Sequence, residues 1–369
     1  AAAVEIRLVQ SDEDNARALL AAIQSDPILF NAVGETQAAA LAYIGLSLAV
    51  VQRHSGALDP AVQSLNEAVA WLEPFPDADP YLAAVVFRVR GVYQWAKGRT
   101  DAALPDLKQA ARQFMQLGDQ YGLAMTFANL GLVYRSIGRL DAAETTTRYA
   151  ISAAKQWDAR WLMAREIGNL GLVSLFQGRL KEAERLVKRH LKLATRLGID
   201  TEVGRAKGNL GVIYLHQGRY EAALDLLEWD RAVSETRGKL EGLAVACANL
   251  GRCYFSLGHF HRAEAEARRA LTLAEQLGSA SLRVMALRAL AETLPPPQAR
   301  QVLEQAYALA EGMRFDRTAC RLALAALETD AARRARLWDG GRRQLMVIGA
   351  AAWLNSSSLA QPPRLPALM

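Results

Sequence analysis

Residues 128–157 read ANLGLVYRSIGRLDAAETTTRYAISAAKQW, and apolar side chains recur in them at three-to-four spacing on both sides of Gly138. Each half therefore reads as an amphipathic helix. Gly138 ends the first helix, because it accepts the left-handed conformation of the residue after a helix C-terminus. Asp141 suits the first turn of the second, where a carboxylate meets unpaired N–H groups and the positive end of the dipole. The stretch is one member of a series. Asn-Leu-Gly begins at Asn129, Asn169, Asn209 and Asn249, forty residues apart each time. Seven residues after each of Gly131, Gly171, Gly211 and Gly251 comes a second glycine, and five further on an alanine: Ala143, Ala183, Ala223, Ala263. The frame extends back to Gly91, Gly98 and Ala103, and less perfectly to Gly56 and Ala61. Forwards it decays, with Ala291 in the Gly131 slot and Pro295-Pro296-Pro297 in place of the turn. Such a period means stacked helical hairpins that bury one continuous core between neighbours. The small residues predict close helix crossings. Tyr134, Tyr214 and Tyr254 are expected to fill the grooves between hairpins, with Ser174 under-filling one.

Composition agrees with a folded chain. The 369 residues are 51% hydrophobic and 22% charged, too apolar for disorder. Formal net charge is +6, and from Met313 onward nine arginines and no lysine face four acids, so the rest of the chain is close to neutral. A neutral array is a poor nucleic-acid binder. The three cysteines form no disulfide framework, and the five histidines do not cluster at metal-ligand spacing, so neither metal nor cofactor is expected. A reducing cytoplasm is the expected compartment. The uncharged run Leu345 to Leu354 is too short to span a bilayer. The N-terminal segment has neither a signal-peptide pattern nor an initiator Met, which suits an excised or processed piece of a longer protein.

Gly or Ala at one helix-A position, Tyr three later, the turn Gly and the helix-B Ala resemble the tetratricopeptide repeat, in its forty-residue form. Kinesin light chain, the Rap-type peptide sensors and bacterial STAND signalling ATPases carry that form. The resemblance is specific over residues 80–280, weaker over 33–79 and 281–328, and absent beyond 340. It implies an all-α fold, an α-solenoid of about seven antiparallel hairpins in a right-handed superhelix. Residues 1–32 would form a lead helix (near 13–24) and partial repeat, 33–328 the array, and 329–369 a degenerate basic helix (near 330–348) with a Pro/Ser-rich tail. Helices A are expected near 35–54, 80–97, 120–137, 160–177, 200–217, 240–257, 280–294 and 315–328. Helices B are expected near 60–73, 101–117, 141–156, 181–197, 221–237, 261–277 and 298–311.

Helix A lines the inner face of such an array, where partners bind. The family places Asn129, Asn169, Asn209 and Asn249 towards that groove, and in its peptide-binding members this Asn holds the backbone of an extended peptide. The amide suits the task, offering one acceptor and two donors. The alternative is that each Asn bonds a neighbouring helix and sets the twist. Arg165 and Arg205 precede their asparagines by four residues, and their guanidinium forks suit a carboxylate or phosphate. Their alternative is pairing with Glu166 or Glu202. Arg135, Leu175, Leu215 and Phe255 come six after each Asn, and Phe176 and His216 seven after. The expected site is thus a basic, Asn-lined centre beside an apolar patch of Leu175, Phe176, Leu215 and Phe255. The tryptophans, at helix ends and joints, are expected to pack in the core.

No nucleotide-binding, hydrolase or metalloprotease motif occurs, so catalysis is not expected. The first reading is a non-catalytic module binding a protein or peptide segment, acidic or C-terminal in character. The second is the ligand-sensing array of a larger STAND-type ATPase or regulator, or of a repeat-linked protease, with flanking domains of the parent chain as partners. A self-associating scaffold is the third. No membrane partner is expected, and nucleic acid is disfavoured.

Overall fold

The computed structural model describes residues 34–54, 57–350 and 353. The expected lead helix near 13–24, Gly56 and the tail after 353 lie outside them. Sixteen helices follow one another, and no strand occurs among the described residues. They are α1 (Glu35–His54), α2 (Leu58–Leu72), α3 (Pro80–Ala96), α4 (Thr100–Gln116), α5 (Gln120–Ser136), α6 (Leu140–Gln156), α7 (Arg160–Phe176) and α8 (Leu180–Arg196). Then come α9 (Asp200–His216), α10 (Tyr220–Thr236), α11 (Leu240–Ser256), α12 (Phe260–Gln276), α13 (Ala280–Thr293), α14 (Pro296–Leu309), α15 (Arg314–Ala326) and α16 (Ala331–Val347).

The period is explained by the ten helices α3 to α12, each of 17 residues and separated from the next by three. Two helices and two connections make the forty-residue unit. The connections close with the same bonds each time. At the α7 end, Gly178 N–H bonds Leu175 C=O at 2.9 Å and Arg179 N–H bonds Ser174 C=O at 2.8 Å, with Gly178 at φ 82°. This is the αL termination that satisfies carbonyls a helix end leaves open. The B-to-A connections use a second glycine register, Gly118, Gly198, Gly238 and Gly278, with Asp158 alone departing from it at φ 47°.

The chain divides into two compact units, residues 1–133 and 134–369, with the division inside α5. In the first unit α1 packs on α2, α2 on α3 and α3 on α4. Leu48, Leu65, Val86 and Trp71 form its core. Arg90 bridges α3 to α4, donating to both oxygens of Asp106 at 2.8 and 2.7 Å.

In the second unit each helix packs on the next, and consecutive A helices also touch: α7 on α9, α9 on α11, α11 on α13, α13 on α15. The unit therefore bends with its A helices on the inner side. Small residues sit where the helices cross. A Cβ on Gly171 would lie 2.7 Å from Val187, and one on Gly251 would lie 3.1 Å from the Ala263 carbonyl. Tyr134, Tyr214 and Tyr254 are buried as expected, and Ser174 in the same slot is fully buried with its hydroxyl unpartnered. The tryptophans divide. Trp71 and Trp338 are core residues, whereas Trp157, on the B-to-A connection, and Trp161, in the first turn of α7, are exposed.

Candidate functional site

Along the inner side of the second unit, α7, α9, α11 and α13 present a band of charged and amide groups. At its centre is Glu166, 1% exposed, which accepts from Arg165 Nε at 3.0 Å and from Asn169 Nδ2 at 3.1 Å. Arg165 also lies over the Trp161 ring, 5.0 Å from its centroid. One rung on, Arg205 Nη1 is 3.4 Å from Glu202 Oε1, and the other Glu202 oxygen meets buried His190 Nε2 at 3.0 Å. Farther along, Arg252 pairs with Glu292 at 3.1 Å and Arg288 with Asp316 at 3.0 Å. Five arginines, counting Arg135, alternate there with four carboxylates, so the band is polar without being a strong field of one sign.

The asparagines occupy one slot of the frame but differ chemically. Asn169 is tied to Glu166, and Asn249 bonds the Val245 carbonyl of its own helix at 3.0 Å. Asn209 differs: its Nδ2 is buried and has no hydrogen-bond partner. The reason lies three residues earlier, where α9 has Ala206 in the slot that holds Glu166 in α7. Asn129 is half-buried and belongs to the first unit.

Arg135, at the end of α5, has its guanidinium 5.6 Å from the Phe176 ring centroid. Burial is the main force on it and, offset by Glu166 and aided by Arg205, brings its pKa down to about 10. It stays charged at neutral pH, close to a carboxylate already shared by Arg165 and Asn169.

The expected open apolar patch is not open. Leu175 and Leu215 are core residues at 5% and 6% exposure, both turned into the hairpin core, whereas Arg135 in the same slot joins the band. Phe255 packs edge-on against Phe260, with centroids 5.5 Å apart. Phe176 packs edge-on against Phe315 of α15 at 4.8 Å, beside a cluster that includes Leu140, Trp338, Leu345 and Ile348. His216 faces Trp353 at 5.2 Å, and the Trp353 indole N–H donates to the Phe176 carbonyl at 3.0 Å. The C-terminal hairpin and Trp353 thus cover much of the surface expected to receive a ligand's apolar anchor. Burial, then Arg252 and Arg288, push the His216 pKa down to about 3, so this imidazole is neutral near pH 7.

Sequence reasoning passed over Arg252 and Glu292. Their forty-residue separation puts them in one slot of adjacent rungs, a signal present in the frame itself. Trp353 left no such signal, since it lies beyond the periodic region. Among the described residues no three His, Cys, Asp or Glu side chains gather as a metal site, and no helix is long and apolar enough to cross a membrane.

This architecture, paired helices repeating every forty residues with A helices inside, is that of an α-solenoid repeat protein. Residues 162–236 and 244–277 match tetratricopeptide-repeat family models. Those two stretches, in the regular part of the array, are the ones that carry the tetratricopeptide-repeat pattern. No curated protein sequence matches it significantly. Solved structures share its fold at low identity. A Rap protein complexed with competence and sporulation factor is 16% identical with a TM-score of 0.68, the match covering 96% of this chain and 99% of that one. NprR in complex with its cognate peptide NprX is 15% identical with a TM-score of 0.56, over 84% of this chain and 95% of that one. Aspartyl phosphate phosphatase F from Bacillus subtilis is 14% identical with a TM-score of 0.55, over 100% of this chain and 97% of that one.

Proposed function

We propose that the inner band of the second unit binds an extended peptide, with Asn209 holding its backbone and Arg205 and Arg135 receiving a carboxylate. The observation that carries this reading is the Asn209 amide, a buried donor without a partner in a row whose other members in that unit are internally satisfied. An unpaired buried donor costs about 1–3 kcal/mol, a cost that a peptide carbonyl would remove. Arg205, half exposed and 3.4 Å from Glu202, retains donors for a ligand carboxylate. Asn169 and Asn249 are satisfied within their own helices, and neither makes the bond to a neighbouring helix that was the alternative for the ladder. The peptide-bound state of NprR supports the reading by fold alone.

We read the module as acting by binding, because the carboxylates of the band are engaged in ion pairs and the His216 imidazole is neutral and covered. A reducing, cytoplasmic setting suits the three cysteines. All are buried free thiols, held by burial at about 12, 11 and 11 for Cys247, Cys253 and Cys320.

Fluorescence anisotropy with a library of short peptides, each with a free or an amidated C-terminus, tests the proposal. Asn209→Ala should weaken the best free-acid peptide at least about tenfold, equivalent to about 1.4 kcal/mol, while the melting temperature stays unchanged. Asn169→Ala should instead lower the melting temperature. Unchanged binding by Asn209→Ala across the library would remove the inner band as the site.

A further inference from the structure

In the C-terminal part of the second unit, α14, α15 and α16 enclose a cleft of about 390 Å³ lined by Tyr307, Arg321, Leu324, Arg333, Arg336 and Leu337. Its construction is specific. Arg321 Nη2 donates to the Tyr307 hydroxyl at 2.9 Å, and Arg317 lies 4.7 Å over the same ring. A Cβ on Gly340 would come within 3.2 Å of Arg321 Nη1, and one on Gly341 within 2.5 Å of Leu322. Two consecutive glycines in α16 therefore let that helix pass close over α15 and the Arg321 guanidinium.

The charges of the cleft are poorly neutralised. No carboxylate lines it. Glu328 beside it is consumed, accepting from the N–H groups of Thr329 and Asp330 and pairing with Arg300 and Arg333, each at 3.2 Å. Arg336 is exposed and has no ion pair among the described residues. The Tyr307 hydroxyl has its pKa lowered by the hydrogen bond from Arg321, against burial, and by Arg317.

We infer that this cleft binds a small organic phosphate, with Arg321, Arg333 and Arg336 around the phosphate and Leu324 and Leu337 under its carbon skeleton. Guanidinium forks match phosphate oxygens in pairs. The volume lies within the range of small-molecule sites, and a concave, apolar-floored cleft suits a compact molecule better than a polymer backbone. The site is separate from the inner band and stands or falls independently of the peptide reading.

Isothermal titration of the full chain with phenyl phosphate, inorganic phosphate and sodium sulfate at matched ionic strength tests it, with a phosphoserine peptide and single-stranded RNA as further arms. Phenyl phosphate should bind tightest, inorganic phosphate weaker and sulfate weakest. Arg336→Gln, at an exposed position, should weaken phenyl phosphate about tenfold while the melt is unchanged. Arg321→Gln should do the same or more. The inference is overturned if no saturable heat appears with phenyl phosphate. Equal binding by both variants and wild type also overturns it. A phosphopeptide or RNA binding tighter than phenyl phosphate would assign the cleft to a macromolecular partner instead.

Discussion

Asp158 occupies the B-to-A turn position where Gly118, Gly198, Gly238 and Gly278 stand, and it alone holds φ 47° with a side chain attached. A left-handed conformation costs an ordinary residue about 1–2 kcal/mol and Asp somewhat less. Asp158→Gly should therefore raise stability by about 0.5–1 kcal/mol in urea denaturation, against the loss of an exposed pair with Arg160. A second residue-scale adaptation joins helices A and B. Gly168 faces His190 and Gly208 faces Asp230, where the equivalent slots of the next hairpin hold Ala248 and Ala270. The large side chain fits only because its partner has no Cβ. Asp230 is bought at a cost, since burial pushes its pKa up to about 6 from 3.8. The native state then takes up a proton more readily than the unfolded chain, so this group's destabilising contribution grows as pH rises from about 4 to 6. Asp230→Asn should raise the melting temperature at pH 7.5 and leave it nearly unchanged at pH 3.5. A stabilisation of equal size at both pH values would show that the carboxylate charge is not the cause. The same contrast explains why the asparagine ladder was only half legible. The letter Asn recurs every forty residues, but the partner that satisfies it, Glu166, or leaves it open, Ala206, sits three residues away and obeys no repeat.

Between hairpins the connection is itself periodic. Gln177 and Arg179 both donate to Glu144, at 3.0 and 2.9 Å, and forty residues on Gln217 and Arg219 both donate to Glu184, at 2.9 and 3.2 Å. The guanidinium of Arg219 also covers the Tyr214 ring at 3.8 Å, joining the clamp to the side chain that fills the groove. Against burial, which is the largest single influence on Glu144 and raises it, hydrogen bonds from Arg148 and Lys188 on the carboxylates' own helices and from these donors hold both glutamates down at about 2. A carboxyl with a depressed native pKa stabilises fully above its unfolded value of 4.5 and loses that contribution as pH falls towards 2. Glu184→Gln should cost about 1 kcal/mol at pH 7 and flatten the loss of stability between pH 4.5 and 2.5, read from urea melts across that range. Helix boundaries were the most legible feature of the chain. The spacing predicts helices near 160–177 and 181–197, and the structure has Arg160–Phe176 and Leu180–Arg196, since the turn glycines punctuate the chain in both registers. The groove side chains were read less well. Leu175 and Leu215 lie on the same helices as the ladder but point into the hairpin, and a spacing count alone does not settle which side of a boundary such a residue takes.

A periodic sequence dictates contacts between neighbours, while contacts across many units depend on how each small rotation accumulates. In the second unit that accumulation brings the C-terminal end back upon its beginning. Ile348 and Phe315 lie within 3.5 Å of the position a Cβ on Gly138 would take, and Gly349 approaches Asp141. Trp353 reaches Phe176, 177 residues earlier, and His216. No single repeat contains this closure, which is why the apolar patch read as open. Trp353→Ala tests what the closure does. Removing the indole exposes the His216 ring and leaves the Phe176 carbonyl without its donor, which should cost about 2 kcal/mol. Water admitted to the ring should lift the His216 pKa from about 3 towards 6.5, observed by histidine NMR against a His216→Gln reference. A histidine held neutral in the native state destabilises as pH falls from 6.5 to 3, because only the unfolded chain then takes up its proton. The variant should lose that part of its acid sensitivity while losing stability at pH 7. A His216 that stayed near 3 without the indole would mean that Arg252 and Arg288, and not the returning C-terminal end, keep the ring neutral.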